Sequence, residues 1–392
     1  MLMAKKIRLK PTPEQEILFR KSVGVARWAY NYCLSEKQRV YAEYLKNPET
    51  AIRTISEGEI RKYINNVLKP TTHTWLKEVG SNVMKQAIKD ADVAYKRYFS
   101  GLSGKPKFKS KRTAKQSFYV NYESLSRRQG GFHGEKIGFV KASEPLPKIK
   151  KGKKYSNPRI SFDGKYWYLS VGYEIEDVVY SLTNKSLGID LGIKSLAVCS
   201  NGKIYKNINK TSKVRKLKKK LRREQRKLSR MIRSKIKEYD VNRKPTYEKP
   251  LSKCKNIQKQ KRKIKLIYRN LANIRKNHIH QTTTEIVKTK PFQIVMEDLN
   301  IKGMMKNKHL SRAISEQGFY EFIRQIKYKS QRYGIKFIQV DRFYPSSKTC
   351  SCCGNIKQEL KLSDRVYRCE YCGLEIDRDY NASVNLAKYK VV

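Results

Sequence analysis

The chain has few acidic residues, few histidines and no long hydrophobic run. Asp and Glu together number 34, against 88 Lys and Arg, and the five histidines are scattered along the 392 residues. No apolar run reaches the about 18 residues that a membrane-spanning helix requires, and no signal-peptide core is present. These absences argue against a membrane protein and against a histidine-based metal centre. The chain is therefore expected to be soluble and cytoplasmic.

The excess of positive charge is the dominant feature of the composition. A formal net charge of +54 is far larger than solubility requires, and such a chain would repel itself unless a polyanion neutralised it. We therefore expect nucleic acid as the partner, bound chiefly through its phosphates and released by salt. A hydrophobic content of 39% is sufficient for two or three domains with their own cores.

Two cysteine pairs near the C-terminus have the spacing of a zinc ribbon, predicted over residues 346–374. The four predicted zinc ligands are Cys350, Cys353, Cys369 and Cys372. Two C-x-x-C knuckles of this kind bring four thiolates to one tetrahedral ion. The alternative is a redox dithiol or a pair of disulfides, but a thioredoxin-type pair requires a βαβ context that the sequence lacks. Cys352 lies inside the first knuckle, and its spacing predicts a spectator.

Single carboxylates interrupt or end apolar segments at three separate places. Asp190 lies in the middle of the run LGIDLGI, and Glu297 ends the run PFQIVME. Asp379 opens the final helix and shares a stripe with Ala382 and Leu386. An ionised carboxylate inside a buried strand is costly without a partner, which favours a metal or substrate role for Asp190.

The order of elements around these acids is typical of a ribonuclease H fold. Asp190 is followed by two further strands of an antiparallel meander, and then come strand, acid, helix, strand, zinc ribbon, acid and helix. Asp190, Glu297 and Asp379 can therefore converge at one edge of the sheet. Two alternatives remain, because a GIDLG-like strand also opens actin-type ATPases and because Asp377 and Asp379 could simply cap the final helix.

The rest of the chain divides into helical, β-rich and basic segments. A strand at 4–10 precedes helices within 11–100, a basic loop at 101–116 and β-rich residues from 117 to about 175. The β-rich part has a hairpin signal at Asp163 and Gly164 and predicts a small barrel. Residues 212–288 predict two long basic helices packed as an antiparallel hairpin, and one helix is expected from about 311 to 333.

Several motifs, taken in this order, resemble the transposon-encoded TnpB nuclease family, ancestor-like relatives of type V CRISPR effectors. They are 6–15 (KIRLKPTPEQ), Tyr30 and Asn31, 105–111 (KPKFKSK), 116–118 (QSF), 188–192 (GIDLG), 297–299 (EDL), 345–354 (PSSKTCSCCG), the pair Cys369 and Cys372, and 379–382 (DYNA). The resemblance covers nearly the whole chain. Two departures are Ser383, where the family often has Ala, and an end at Val392, where relatives often carry a basic tail.

The resemblance implies a multidomain α/β plus β-barrel protein. Its parts would be a wedge β-barrel with an inserted helical recognition lobe, a RuvC-like nuclease domain of ribonuclease H fold, and a zinc-ribbon insertion. The expected limits are 1–10 for the first barrel strand, 11–116 for the recognition lobe, 117–183 for the rest of the barrel, 184–345 for the nuclease domain with its basic hairpin, 346–374 for the ribbon and 375–392 for the last nuclease segment.

The activity implied by the resemblance is RNA-guided cleavage of double-stranded DNA next to a short adjacent motif. Asp190, Glu297 and Asp379 match the family's catalytic positions and would hold two Mg²⁺ ions. The implied partners are a guide RNA from the transposon end and target DNA, bound by a monomeric protein that associates with the nucleoid while acting. Two rival functions are a nuclease-inactive RNA-guided DNA-binding regulator and an unguided structure-selective nuclease.

Basic residues of the first strand and of the 101–116 loop are the predicted nucleic-acid contacts. They are Lys5, Lys6, Arg8, Lys107, Lys109, Lys111 and Arg112. The loop is rich in Gly, Ser, Pro and basic residues, so it is not expected to pack into a core and can lie on phosphates. A solvated linker is the alternative interpretation.

Overall fold

The computed structural model describes residues 1–176, 179–361 and 364–389. The chain forms two compact units, Met1–Glu176 and Asp177–Val392, which we call unit 1 and unit 2. Both combine helices with β-sheet, so the protein is a multidomain α/β molecule. No helix in the described ranges is both long and apolar enough to cross a membrane.

Unit 1 begins with a strand and a long helix. β1 (Leu2–Lys10) leads directly into α1 (Pro13–Lys46). The hydroxyl of Thr12 accepts a hydrogen bond from the Gln15 backbone N–H at 3.3 Å, and the Gln15 side chain accepts one from the Thr12 N–H at 3.1 Å. This reciprocal pair satisfies two backbone donors at the helix start and fixes where α1 begins.

Further elements of unit 1 surround a core of aromatic residues. They are α2 (Glu57–Tyr63), α3 (Ser81–Phe99), β2 (Ser117–Tyr119), β3 (Ser126–Arg128), β4 (Gly131–Gly134), β5 (Gly138–Ala142), β6 (Ser156–Phe162) and β7 (Trp167–Glu174). In the core, the ring of Phe19 lies 5.1 Å from that of Trp167 and 5.7 Å from that of Phe118. The helix α1 is therefore anchored to both β7 and β2.

The strands of unit 1 form an open sheet, so the predicted barrel is wrong. Their hydrogen-bonded order is β2-β6-β7-β1-β5-β4-β3, and in the described part of the chain the end strands β2 and β3 do not pair with each other. Both end strands have three residues, and β1 pairs with β5 only at Leu9 and Lys10. Helices α1 and α3 pack against β2, so helices cover this end of the sheet instead of a closing strand.

Unit 2 contains a larger number of elements. In chain order they are β8 (Thr183–Leu191), β9 (Ser195–Cys199), β10 (Ile204–Lys206), α4 (Ser212–Arg233), β11 (Ile236–Tyr239), β12 (Pro245–Tyr247), α5 (Lys255–Lys288), β13 (Pro291–Glu297), α6 (Ile301–Met304), α7 (Ser311–Gln317), α8 (Phe319–Tyr333), β14 (Lys336–Val340), β15 (Val366–Arg368), β16 (Glu375–Asp377) and α9 (Arg378–Lys388).

A mixed five-stranded sheet in the order β10-β9-β8-β13-β14 is the centre of unit 2. The strands β8, β9 and β10 form the predicted antiparallel meander, and β13 runs parallel to both β8 and β14. Successive residues of β13 face opposite layers, as a strand requires. Ile294 and Met296 join the core formed with α5 and α8, whereas Val295 packs with Leu386 of α9.

Of the two helical predictions for unit 2, the basic hairpin is present and the single long helix is not. The antiparallel basic hairpin is present, because Val214 of α4 packs against Ile267 and Leu271 of α5, but a short β11–β12 ribbon separates its helices. The single helix expected from about 311 to 333 is wrong. Gly318 has a φ of 72°, in the left-handed region, and therefore divides α7 from α8.

Candidate active site and metal centre

Asp190 lies on β8 among closely packed neighbours. The residue pairs with Val198 of β9 and keeps some solvent exposure, although packed protein atoms surround its carboxyl group. Burial raises the pKa of this carboxyl to about 8, and the negative charges of Glu297 and Asp379 add to the rise, while Arg378 opposes it. The two other predicted acids therefore lie near enough to repel Asp190.

Glu297 reaches the same place from the neighbouring strand. Met296 is the register partner of Ile189 in the parallel β8–β13 pair, so Glu297 follows beside Asp190 at the carboxyl end of both strands. The Glu297 carboxylate accepts a hydrogen bond from the hydroxyl of Ser346. Ser346 itself is 1% exposed, so this contact lies away from bulk water.

Asp379 approaches from the first turn of α9. Its Oδ2 would lie 4.0 Å from a Cβ placed on Gly192, which puts the carboxylate beside the turn that follows β8. Asp377 has a different role, because its side chain accepts the Tyr380 backbone N–H at 3.0 Å and caps the helix. The three predicted acids thus lie together at one edge of the sheet, with Asp377 as the helix cap.

A glycine allows α9 to lie close to β8. A Cβ on Gly188 would be 2.0 Å from the carbonyl oxygen of Ser383 and 2.4 Å from the backbone nitrogen of Ala387. No other residue fits between the strand and the helix without moving one of them. The first glycine of the GIDLG motif therefore sets the distance between the element that carries Asp190 and the element that carries Asp379.

Two other acids near the site are occupied elsewhere. Asp298 forms an ion pair with Arg342 at 2.9 Å, and the Asp341 carboxylate accepts the Phe343 backbone N–H at 2.8 Å. Asp298 and Asp341 are both adjacent to the site in sequence, yet each has its own structural partner. The remaining carboxylates, Asp190, Glu297 and Asp379, supply hard oxygen donors of the kind that Mg²⁺ prefers.

Sequence reasoning did not find Gln317, which holds the turn after β8. Its side-chain amide donates to the carbonyl oxygen of Gly192 at 2.9 Å, and the residue is 3% exposed. A buried amide requires such partners, but their identity depends on the tertiary fold. The turn between Asp190 and β9 is therefore fixed by a residue more than a hundred positions away.

The four predicted zinc ligands form a compact cluster. The Sγ atoms of Cys350, Cys353, Cys369 and Cys372 all lie within 4.8 Å of one another. The Cys350–Cys372 and Cys353–Cys369 separations are both 3.6 Å, far longer than a disulfide bond. Four sulfurs around a tetrahedral zinc at about 2.3 Å would be roughly 3.8 Å apart, so the cluster has suitable dimensions for that ion.

The thiols of this cluster differ in acidity. The backbone N–H of Cys372 lowers the pKa of Cys369 to about 6. The pKa of Cys353 rises to about 12, because burial and the neighbouring thiols outweigh a lowering backbone hydrogen bond at Asn355. Cys352 is exposed and lies outside the four-sulfur group, as its spacing predicted.

Buried asparagines fasten the cysteine segment to α9. Asn381 donates to the carbonyl oxygen of Thr349 at 2.7 Å and accepts the Ser351 N–H at 2.9 Å. Asn385 donates to the carbonyl oxygens of Ser346 and Thr349 at 2.8 and 2.6 Å. The signal in the sequence was the spacing of four residues, which places both amides on one helix face. Their partners could not be read from the sequence.

In unit 1, four of the predicted nucleic-acid contacts already have an acidic or aromatic partner, and the other three are exposed. Lys5 forms an ion pair with Glu144 at 2.7 Å, Lys6 and Arg8 lie over the rings of Tyr168 and Tyr166, and Lys109 lies over Tyr30. Lys107, Lys111 and Arg112 are exposed. Asn31 holds the backbone of Lys109 through two hydrogen bonds of 2.8 and 2.9 Å. The basic loop is therefore anchored at Lys109 and open to solvent around it.

Family models match three parts of the chain. A model described as a probable transposase, of the OrfB group of IS605 elements, matches residues 170–308, and a Cas12f1-like TNB domain matches residues 319–386. A helix-turn-helix domain model matches residues 1–46. Over these segments the chain is similar to transposases of the IS605 type and to the Cas12f1-like TNB domain.

Curated relatives extend the match to almost the whole chain. A protein of Escherichia coli K12 named "Putative RNA-guided DNA endonuclease InsQ" is 29% identical over 98% of this chain and 91% of its own length. A Streptomyces pristinaespiralis protein of similar name is 27% identical over 97% of this chain and 87% of its own. The chain is thus similar along nearly its whole length to proteins that are named as RNA-guided DNA endonucleases.

A solved structure has a fold similar to that of this chain. The chain resembles the protein in a cryo-EM structure of a Cas12f1–sgRNA–target DNA complex, with a TM-score of 0.55 and 14% identity over 99% of both chains. The Cas12f1 protein of Sulfoacidibacillus thermotolerans is also 30% identical over 56% of this chain and 50% of its own length. The expected family resemblance is thus confirmed.

Proposed function

We propose that this chain is an RNA-guided DNA endonuclease encoded by a transposon, which hydrolyses target DNA next to a short adjacent motif. The observation that carries the proposal is the meeting of Asp190, Glu297 and Asp379 at one sheet edge. Relatives that align along nearly the whole chain are named as RNA-guided DNA endonucleases, which supports the guided activity. The acids supply the hydrolytic site, and the basic surfaces supply the nucleic-acid contacts.

The proposed architecture follows the family. We assign the five-stranded sheet of unit 2 to a RuvC-like nuclease domain over 184–345, completed by residues 375–392. The ribbon is assigned to 346–374, the recognition lobe to 11–116, and the wedge domain to 1–10 with 117–183. The strand order β10-β9-β8-β13-β14, with its antiparallel meander and parallel β13 and β14, supports the ribonuclease H assignment.

Two kinds of metal fit the donor sets. We assign structural zinc to the four-cysteine cluster, because its sulfur separations of 3.6 Å suit a tetrahedral thiolate site. We assign catalytic Mg²⁺ to Asp190, Glu297 and Asp379, which offer carboxylate oxygens only. Bound divalent cations in such a site activate water and stabilise the leaving oxygen of a phosphodiester.

The residues of the chain hold the metal site together and keep its elements in position. Asp190, Glu297 and Asp379 would hold the cations, and a bound cation would favour the ionised form of Asp190, whose pKa is raised by burial and by the two neighbouring carboxylates. Gly188 and Gln317 keep β8, its following turn and α9 at fixed separations. The scissile phosphate is thus presented to a rigid set of oxygens.

The basic surfaces of both units bind the guide RNA and the target duplex. The exposed residues Lys107, Lys111 and Arg112 contact phosphates, whereas Lys5, Lys6, Arg8 and Lys109 contribute from positions that they already hold against acidic or aromatic neighbours. The protein acts as a monomer in a ribonucleoprotein, in the bacterial cytoplasm and on the nucleoid.

The test is guided cleavage with purified components. Protein produced together with its native locus should copurify with a discrete RNA, and changing one end of that RNA should retarget cleavage. Asp190→Ala is the matched control, because it should bind the same RNA and DNA and leave the DNA intact. Equal selectivity by RNA-free protein would support the unguided nuclease, and guided binding without cleavage by the wild type would support the regulator.

A further inference from the structure

A short segment, residues 346–350, links Glu297 to the cysteine cluster, and both of its end residues are buried. Ser346 donates its hydroxyl to the Glu297 carboxylate, and its own carbonyl oxygen accepts from Asn385 at 2.8 Å. Four residues later Cys350 enters the thiolate cluster, with an exposure of 2%. One segment therefore contacts a candidate Mg²⁺ ligand at one end and supplies a candidate zinc ligand at the other.

Both ends of this segment are attached to the helix that carries the third acid. Asn381 and Asn385 are 0% and 3% exposed, and their amides hold the backbone of Thr349 and its neighbours. Asp379 lies on the same helix, two residues before Asn381. Buried side-chain networks of this kind are costly to leave partly satisfied, so their geometry is tightly fixed. Movement of the segment would displace Glu297 relative to Asp379.

A serine hydroxyl has one proton to donate, and Ser346 donates it to the carboxylate. A hydrogen bond to one oxygen of a metal-binding carboxylate orients the group and leaves the second oxygen to the cation. Loss of such a supporting contact costs about tenfold to a hundredfold in metal affinity in other proteins. The neighbouring Ser347 is only half-buried, which makes it a matched control.

We propose that Ser346 is a positioning residue for Glu297, through which the zinc ribbon sets the affinity of the carboxylate site for its divalent cation. The proposal rests on the function assigned above. Ser346 does not touch substrate or metal; it fixes the orientation of Glu297. The ribbon is thereby part of the catalytic apparatus and not only a separate folding unit.

The experiment measures Mn²⁺ binding to the full-length protein without nucleic acid, by electron paramagnetic resonance, with zinc content determined on the same samples. Ser346→Ala should weaken Mn²⁺ binding about tenfold while keeping its zinc. Ser347→Ala should match the wild type in both measurements. The Mg²⁺ concentration that gives half-maximal cleavage should rise in Ser346→Ala by a similar factor, with the rate at saturating Mg²⁺ much less affected.

A double-mutant cycle tests whether Ser346 changes Mn²⁺ affinity through Glu297. In a Glu297→Ala background, Ser346→Ala should cause little further loss of Mn²⁺ affinity, because the group that it orients is gone. An equal loss in both backgrounds would overturn the proposal, as would Mn²⁺ binding by Ser346→Ala within twofold of the wild type. Loss of zinc together with Mn²⁺ would also overturn it, because the serine would then serve the fold of the ribbon.

Failure of this proposal and failure of the proposed function give different results. If the wild type binds no Mn²⁺ and cuts no DNA, the nuclease assignment fails, whatever Ser346 does. If the wild type binds Mn²⁺ and cuts guided DNA but Ser346→Ala is unchanged, the positioning role alone is wrong. The two readouts therefore separate the two claims.

Discussion

Gly188 on β8 lies directly against the carbonyl oxygen of Ser383 on α9, with 2.0 Å between that oxygen and the place that a Cβ would occupy. This contact joins the strand of Asp190 to the helix of Asp379. The two acids come from positions almost two hundred residues apart, so their separation depends on how closely these two elements pack. The glycine therefore sets the separation on which the meeting of these two acids depends.

The close packing at Gly188 makes a first prediction. Gly188→Ala should destabilise unit 2 by about 1–3 kcal/mol, because the strand and the helix must separate to admit the methyl group. Cleavage should fall strongly as Asp190 and Asp379 move apart. Urea unfolding and a cleavage assay measure the two effects. Gly24→Ala is the control, because Gly24 lies in α1 with open space around its Cβ position, and it should cost nothing.

The acids make a second prediction. Asp190→Ala, Glu297→Ala and Asp379→Ala should each abolish Mg²⁺-dependent cleavage and leave RNA and DNA binding within a few fold, because phosphate contacts elsewhere dominate affinity. Asp377→Ala should keep substantial activity and lose about 1 kcal/mol of stability, since it removes a helix cap. An active Asp379→Ala variant beside an inactive Asp377→Ala variant would show that the wrong aspartate was assigned.

The cysteine cluster makes a third prediction. Metal analysis should find about one zinc per chain, and Cys369→Ser should lower zinc occupancy and the thermal stability of the ribbon. Cys352→Ser is the matched control, because this exposed thiol lies outside the four-sulfur group. Unchanged zinc in Cys369→Ser, or equal loss in Cys352→Ser, would contradict the ligand set.

A fourth prediction concerns a buried lysine and the dependence of the free energy of unfolding on pH. Lys329 of α8 donates to the hydroxyls of Thr283 and Thr284 at 2.6 and 2.7 Å, and burial lowers its pKa to about 8. An unfolded chain would keep a lysine pKa of about 10.4. Between these values the unfolded state binds more protons than the folded state, so this residue makes the free energy of unfolding rise with pH.

The Lys329 effect is measured as a difference between proteins. The free energy of unfolding of the wild type minus that of Lys329→Met should increase from about pH 8 to about pH 10. Lys327→Met is the matched control, because it removes an exposed lysine from the same helix. A flat difference for Lys329→Met would mean that its ammonium is fully solvated in the folded state.

The sequence predicted the parts of the site that are marked by local pattern. Cysteine spacing singled out the four thiols that the structure brings together, and isolated carboxylates in apolar strands singled out Asp190 and Glu297, which lie near each other at one sheet edge. Asp379 was separated from Asp377 by helix periodicity, and Asp377 is indeed the cap. Each of these signals arises from neighbours in the chain, because residue spacing determines which side chains share a face.

The features that could not be predicted depend on distant partners. The hydroxyl of Ser346 and the amide of Gln317 have no local pattern that names Glu297 or Gly192 as their acceptors. The open sheet of unit 1 depends on where α1 and α3 cover β2, which strand periodicity cannot reveal. Gly318 could have been recognised as a helix end, but one glycine inside a helical pattern is often tolerated.

The two-stranded sheet of β11 and β12, between the helices α4 and α5, is a place where the chain can change in length. Its tip at Val241 is fully exposed, and the helices on either side are held together by their own apolar seam. Lengthening a surface connection is inexpensive, at about 0.6 kcal/mol for each doubling. Residues can therefore be gained or lost here without disturbing the three acids, and a reporter or tag inserted at Val241 should leave the proposed nuclease active.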